Sequence, residues 1–175
     1  MKPESIKIRV LPPSLYDLDK VEGDILAAYL VAGQRPPHGI AGLCDWRLMG
    51  FISRLIAEGK LSGETGEKLL ISSEGSIIPK KLVIYGVGDY TQAPLSLQDT
   101  AAELIKTLKK LGAVVPVIAW PQGDFLRMPL SEAIAPLISE LKRAGAWEYL
   151  VCFGDVEGWR NAVSMLPSHF RIYVV

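Results

Sequence analysis

Cysteine is the most reactive side chain in this sequence, and one of its two cysteines lies near groups that activate a thiol. Cys44 is close to the predicted start of a helix, where the helix dipole lowers the pKa of a thiol. His38 and Asp45 are its neighbours in sequence, and a thiol beside an imidazole is the arrangement of a nucleophilic hydrolase. The hypothesis of a thiol hydrolase using Cys44 stands against the alternative of a buried, unreactive thiol. Cys152, within an apolar segment, is predicted to be a core residue.

The usual ligands of a catalytic metal centre are sparse. The densest acidic stretch, residues 17–24, is interpreted as solvated loop charges, with Asp24 at the entrance to a strand. Both histidines, His38 and His169, lie in proline-containing loops and have no ligand partner at helical spacing. A two-metal hydrolase needs several carboxylates that converge on ions about 3.5–4 Å apart. The sequence therefore predicts no metal site and no cofactor.

Glycine and aspartate follow two predicted strands at positions where α/β proteins bind ligands. Gly86, Gly88 and Asp89 follow one strand, and Gly154 and Asp155 follow another. Ligands of open α/β sheets bind at the carboxyl ends of strands, where backbone N–H groups and helix starts face anions. These residues are candidates for binding a phosphate-bearing ligand, with tight turns that bind nothing as the alternative. The run GVGDYT lacks the third glycine of G-x-G-x-x-G, and no phosphate loop of the form G-x-x-x-x-G-K-[ST] occurs.

Strands and helices alternate along the chain and must position these residues. Alternating or continuous apolar runs predict seven strands: Ser5–Leu11, Asp24–Val31, Glu67–Ser72, Lys81–Val87, Val114–Trp120, Tyr149–Phe153 and Phe170–Val175. Apolar residues at helical spacing, with caps and stops, predict four helices: Leu43–Glu58, Leu97–Leu111, one after Ser131 and one capped by Asp155. The pattern predicts a helix-flanked α/β sheet. We expect it to be mixed, because the first two strands follow each other without a helix.

Proline affects two of these predictions about the sheet. Pro12-Pro13 ends the first strand, so an edge position is expected for it, and Pro116 lies within the fifth, so an edge position or a bulge is expected there.

Composition sets limits on the class of protein. The chain has 175 residues, 49% hydrophobic and 22% charged, which predicts one domain over residues 1–175. A nucleic-acid-binding protein usually has an excess of basic residues, whereas this chain has 19 basic and 19 acidic ones, so no nucleic-acid partner is expected. The longest apolar stretch, Ile25 to Ala32, is far shorter than the roughly 20 residues of a membrane helix. With no signal-peptide pattern at the start and only two cysteines, we expect a cytoplasmic protein without a membrane partner.

The middle of the chain carries a more specific pattern. A leucine- and isoleucine-rich helix opened by Asp45 leads into the runs EGKLSG, GEKLLI and KLVIYGVG, which end at Gly88. This segment resembles the amino-terminal domain of the leucyl aminopeptidase family, in which a helix leads into a G-x-x-G-E-x-L-type strand start and a hydrophobic strand ends in G-L-G or G-V-G. The order of elements matches over nearly the whole chain.

The resemblance implies a fold and a functional limit. The fold is that of the macro domain, a three-layer α/β/α sandwich on a mixed sheet. In this family the two-metal peptidase chemistry belongs to a separate carboxy-terminal domain with an N-T-D-A-E-G-R signature. No such string occurs in the 175 residues, so no catalytic residue of the family has a matching position.

The macro-domain comparison adds one candidate ligand contact. Macro domains that bind ADP-ribose carry G-D-I followed by V-D-A-I-V-N-A-A-N, with an aspartate that holds the adenine. Residues 22–29, EGDILAAY, are faintly similar, although the asparagines are missing. Asp24 therefore joins the candidate ligand-binding residues.

Three functions follow as hypotheses. The leading one is a non-catalytic relative of the aminopeptidase amino-terminal domain that acts in assembly or regulatory binding, with itself or another protein chain as partner. The second is a module that binds a nucleotide or ADP-ribose-like ligand at the strand-end loops. The third is the thiol hydrolase.

Overall fold

The protein is built on one seven-stranded sheet with the order β3-β4-β2-β5-β6-β1-β7. The computed structural model describes residues 5–91, 96–167 and 171–175. The strands are β1 (Ser5–Leu11), β2 (Ile25–Val31), β3 (Lys68–Ser72), β4 (Lys81–Gly88), β5 (Pro116–Ala119), β6 (Tyr149–Phe153) and β7 (Arg171–Val174). The helices are α1 (Leu15–Leu18), α2 (Gly39–Arg47), α3 (Phe51–Ala57), α4 (Leu97–Lys110), α5 (Leu130–Ala144) and α6 (Val156–Ser164).

Helices cover the sheet on both faces and make the predicted three-layer α/β/α sandwich. Helices α4, α5 and α6 bury their apolar stripes in one core, while α1, α2 and α3 pack on the opposite face. Strands β2, β4, β5 and β6 are nearly all buried, because they receive helices on both sides. No helix in the described ranges is long and apolar enough to cross a membrane.

Two proline-based predictions were wrong, because the prolines lie where a strand tolerates them. β1 lies between β6 and β7, and β5 is the central strand of the sheet. Pro116 is the first residue of β5, a position where the missing N–H is tolerated. A further proline, Pro136, lies inside α5.

The mixed character of the sheet is confirmed, but its source differs from the expected one. β3 runs antiparallel to β4, whereas all other neighbouring strands are parallel. The first two strands are separated in the sheet, and the short helix α1 connects them. The antiparallel pair arises instead from the connection of residues 73–80, which joins β3 to β4 with no helix between them.

The single helix predicted over Leu43–Glu58 is in fact two helices. α2 ends at Arg47, and the chain then turns through Met49 and Gly50, whose φ angles are 55° and 77°. The left-handed backbone at these residues cannot continue a right-handed helix. α3 starts at Phe51 and carries the buried Ile52 and Ile56 toward the sheet. The apolar residues do recur at helical spacing, but they belong to two short helices instead of one.

Candidate functional site

The parallel strands end together and define one end of the sheet, here called the carboxyl end. Of the predicted ligand-binding residues, Gly86, Gly88 and Asp89 lie at the end of β4, and Gly154 and Asp155 follow β6. β2 separates β4 from β5, and β5 separates β2 from β6. The structure thus places the two predicted glycine turns at the same end of the sheet but on strands that are not neighbours.

Asp24 lies at the opposite end of the sheet, just before β2. Its carboxylate accepts hydrogen bonds from the Val114 N–H (2.9 Å) and the Val115 N–H (2.8 Å). These bonds hold the chain that enters β5 beside the start of β2. Asp24 is therefore an anchor between two strands, and the structure separates it from the other predicted site residues.

The glycines of the GVG run accommodate a neighbouring loop, residues 62–67. The Gly86 N–H donates to the Glu67 carbonyl, and the Gly88 N–H donates to the Gly63 carbonyl, both at 2.8 Å. A Cβ at Gly86 would lie 2.0 Å from the Glu64 carbonyl oxygen. The N–H groups expected to face an anion are thus occupied by the chain itself.

The second turn, Gly154-Asp155, is also filled by protein groups. The Gly154 N–H donates to the Leu11 carbonyl (2.8 Å), and a Cβ at Gly154 would lie 2.4 Å from the indole nitrogen of Trp159. The Asp155 carboxylate caps α6 by accepting from the Gly158 N–H (2.6 Å). This geometry matches the alternative interpretation of tight turns. Asp89 is similar, because its carboxylate accepts from the N–H and hydroxyl of Thr91 at 2.9 and 2.6 Å.

Sequence reasoning missed a cluster of aromatic rings on the α4–α6 face. The Tyr29 and Phe125 rings stack with centroids 6.0 Å apart, and the Tyr90 ring is 4.9 Å from Phe125. Phe125 belongs to a 3-10 turn, Asp124–Leu126, in the connection that follows β5. All three rings are only half-buried. The available sequence signal was Tyr29 itself, the one residue of β2 that carries a polar atom on its side chain.

The start of α2 lies next to this aromatic cluster. A Cβ at Gly39, the first residue of α2, would be 3.9 Å from the Tyr29 hydroxyl, whose pKa is raised by burial. The preceding residue, His38, makes no side-chain cap to the helix. In the described part of the chain, the N–H groups of residues 39–41 have no hydrogen-bond acceptor. They carry the partial positive charge of a helix N-terminus, and the exposed Arg35 lies in the preceding loop.

Cys44 does not have the environment that the thiol hypothesis required, and that prediction is corrected. It lies in the second half of α2, not near its start, and its side chain is 0% exposed. Burial and the neighbouring Asp45 raise the pKa of the Cys44 thiol to about 12. Asp45 instead accepts hydrogen bonds from the N–H and hydroxyl of Ser53 and so ties α2 to α3. Cys152 is fully buried in β6, as predicted, and burial raises its pKa.

Metal ligands do not gather in the ranges that the structure describes: no group of three or more His, Cys, Asp or Glu there could hold an ion. His169 lies outside the described residues.

Comparison with solved structures places this arrangement in a known fold. The match with a mutant macrodomain of Oceanobacillus iheyensis with ADPR covers 94% of this chain and 93% of the macrodomain, with 12% identity and a TM-score of 0.69. The chain has the macrodomain fold. The match with a mutant leucine aminopeptidase of tomato covers 91% of the present chain and 35% of the tomato chain, with 17% identity and a TM-score of 0.62.

One sequence relative connects the macrodomain-like chain to the aminopeptidases. A probable cytosol aminopeptidase of Pseudomonas syringae pv. tomato is 32% identical over 82 residues, which are 46% of this chain. The match spans 16% of that aminopeptidase. No family model matches the chain. The resemblance to the aminopeptidase amino-terminal region is confirmed by this match and by the shared fold.

Proposed function

We propose that the protein is a non-catalytic, cytoplasmic binding module for a small ligand that joins an aromatic ring to an anionic group, such as a nucleotide or ADP-ribose. One observation carries the proposal: Tyr29 links the aromatic cluster to the start of α2. Its ring stacks on Phe125, while its hydroxyl lies beside Gly39. A stacking surface and a set of N–H groups that have no acceptor among the described residues thus meet at one side chain.

Each half of this arrangement suits one half of such a ligand. Half-buried aromatic rings bind a base by stacking, and a base contributes about 1–3 kcal/mol through each such contact. The N–H groups at the start of a helix bind phosphate, because they are unpaired and lie at the positive end of the helix dipole. The ligand in the Oceanobacillus macrodomain structure, ADPR, has both parts and supports the choice.

The glycines and aspartates predicted from the sequence have a supporting role in this proposal. Gly86 and Gly88 hold β4 against the loop of residues 62–67, and Gly154 and Asp155 hold the start of α6. They shape the carboxyl end of the sheet without donating to a ligand. A non-catalytic role agrees with the buried Cys44 thiol, whose high pKa deprives it of nucleophilicity.

Titration calorimetry with ADP-ribose tests the proposal. We expect heat of binding with the wild-type protein and at least roughly tenfold weaker binding for Phe125→Ala, which removes a stacking ring. Tyr29→Phe keeps the ring and loses the hydroxyl, so a weaker effect of about two- to tenfold is expected. Tyr173→Phe, at a half-exposed tyrosine on the edge strand β7, is the matched control and should bind like the wild type.

Two partial ligands separate the contributions of base and phosphate. Adenosine should compete with ADP-ribose in the wild type and lose that effect in Phe125→Ala, while inorganic phosphate should compete equally in both. The absence of heat at millimolar ADP-ribose, or binding that is unchanged in Phe125→Ala, would contradict the proposal. Hydrolysis of a leucine amide that a chelator abolishes would contradict its non-catalytic part.

A further inference from the structure

The edge strand β3 presents unpaired backbone groups along its free side. The Gly86 N–H donates to the Glu67 carbonyl, and the Ser73 N–H donates to the Lys80 carbonyl. Bonded and non-bonded positions alternate in an antiparallel pair, so the odd-numbered residues of β3 direct their N–H and C=O groups toward β4. The even-numbered residues direct theirs away from the sheet. These outward-facing residues are Lys68, Leu70 and Ser72, and their backbone groups have no partner in the described chain.

The usual protections of an edge strand are weak here. β3 contains no proline and keeps one unbroken register with β4. Its single charged residue, Lys68, is directed over the sheet, where its Nζ donates to Glu103 of α4 at 2.9 Å. Leu70 is 50% exposed at the centre of the strand. Such an edge is a template for pairing with another strand.

A groove of about 490 Å³ runs beside this edge, between β3 and α3, and its lining combines apolar side chains with Arg54, Glu74 and the serines of residues 72–76. Leu48, Leu55 and Leu69 contribute to its lining, and Met49, which is 80% exposed, lies at its rim. Phe51 of α3 adds a further exposed ring. The groove thus places apolar side chains beside the edge on the α3 side of the sheet, next to the position of a pairing strand.

We propose that a second copy of this chain pairs with β3, antiparallel and about a two-fold axis that passes beside Leu70. In this register Leu70 faces Leu70 of the partner subunit, and Lys68 faces Ser72 of the partner subunit. On the α3 side, Leu69 faces Ile71 of the partner subunit. The exposed Leu70 side chain meets its equivalent, the buried Ile71 stays in the core of its own subunit, and the two lysines are kept apart.

Other registers are poorer, which argues for a second copy in this alignment. The outward-facing residues must pair with each other, so the partner strand can shift only in steps of two residues. A shift in one direction places Lys68 against Leu70 of the partner subunit and shortens the overlap. A shift in the other direction places Lys68 against Glu74 of the partner subunit, beyond the end of β3. Pairing centred on Leu70 alone uses all five residues of both strands.

The oligomeric state in solution, measured by sedimentation over a range of protein concentrations, tests this interface. We expect a monomer–dimer equilibrium for the wild type and a dissociation constant at least tenfold higher for Leu70→Lys, which places two like charges at the axis. Met165→Lys, at an exposed apolar residue (74%, against 50% for Leu70) just after α6, is the control and should dimerise normally. Circular dichroism checks that both variants fold. A monomer at every concentration, or a dimer that Leu70→Lys leaves unchanged, overturns the proposal.

Cysteine cross-linking tests the register independently of affinity. Residues facing each other in a hydrogen-bonded antiparallel pair have Cα atoms about 5.5 Å apart, within the range of a disulfide. Leu70→Cys should therefore form a disulfide-linked dimer under mild oxidation. Ser72→Cys should not, because two such residues would be about 13 Å apart along the strands. The natural cysteines are both buried and provide no background. Equal cross-linking of the two variants overturns the register.

Discussion

At the scale of single residues, most side chains that could act as acids, bases or hydrogen-bond donors form hydrogen bonds that stabilise the fold. Asp45 binds Ser53, the buried Glu140 accepts from Gln98 (2.9 Å) and Arg143 (2.6 Å), and the indole N–H of Trp120 donates to the Ala133 carbonyl (2.7 Å). A buried polar group without such a partner costs about 1–3 kcal/mol. Because these groups are satisfied internally, they are not free to act on a substrate.

The reactivity of Cys44 is the prediction that belongs to this scale. Its raised pKa, about 12, leaves almost no thiolate near neutral pH, and its burial excludes reagents. We expect no alkylation of the folded protein by iodoacetamide at pH 7.5 and alkylation of both cysteines in denaturant, as measured by intact mass. The Ser72→Cys variant, with a thiol on an exposed strand position, is the positive control and should react in the folded state. Rapid labelling of Cys44 in the folded protein would show that the environment described here is wrong.

At the scale of elements, glycines set where helices stop and how closely loops approach strands. Gly50 permits the left-handed turn between α2 and α3, with no atom within 4 Å of a Cβ placed there. Gly86 has ordinary backbone angles but touches the loop of residues 62–67. Gly50 is needed because it adopts a left-handed backbone conformation, and Gly86 is needed because a side chain there would collide with the loop.

Alanine substitution distinguishes these two roles. Gly50→Ala should lower the free energy of unfolding by about 1–2 kcal/mol, the cost of left-handed backbone with a Cβ. Gly86→Ala should lower it by about 3 kcal/mol or more, because the new Cβ would lie 2.0 Å from the Glu64 carbonyl oxygen and must displace the loop. Denaturant unfolding measures both. Gly75→Ala, at φ 84° with open space, is the control for strain alone and should match Gly50→Ala. Equal losses for Gly50 and Gly86 would refute the distinction.

At the scale of the whole molecule, an ion pair joins the edge of the sheet to the helix layer. Glu103 of α4 receives the Lys68 Nζ at 2.9 Å and the Lys106 Nζ at 3.4 Å. The hydrogen bond and charge of Lys68, and then those of Lys106, lower the pKa of the Glu103 carboxyl below its usual 4.5. The pair is solvent-exposed, so its contribution to stability is small.

The pH dependence of this contribution has a definite sign. A carboxyl whose pKa is lowered by folding stabilises the folded state above its unfolded pKa, and this stabilisation is lost as the pH falls through the folded-state pKa. The denaturation midpoint of Glu103→Gln should therefore lie slightly below that of the wild type at pH 7, and the difference should shrink at pH values below about 4.5. Glu22→Gln, at an exposed carboxylate with no ion pair in the described ranges, controls for the loss of one charge. A difference that grows in acid would reverse the assigned sign.

Several features were predictable because they depend on local pattern. The span of β1 and β6, the Ser96 cap of α4 and the Asp155 cap of α6 all follow from neighbouring residues, and the structure confirms them. The break at Gly50 was missed because the apolar spacing of α2 and α3 mimics one continuous helix. The edge positions predicted from Pro12 and Pro116 failed because proline excludes only a local hydrogen bond and does not determine strand order.

The candidate site was less predictable for the same reason. Gly86 and Gly154 occur where a ligand loop is expected, but whether their N–H groups are free depends on residues distant in sequence, at Glu67 and Leu11. Tyr29 and Phe125 are nearly a hundred positions apart, and only the pairing of β2 with β5 brings their rings together. The sequence by itself determined the α/β fold class and the absence of a local metal or phosphate-loop motif, because these depend on composition and short-range periodicity. The three layers were expected from the family resemblance alone. Only the tertiary structure decided which polar groups are already hydrogen-bonded, which aromatic rings are in contact and which strand lies at the edge of the sheet. These contacts join segments that are far apart in sequence, and the number of residues between two segments does not determine their distance in space.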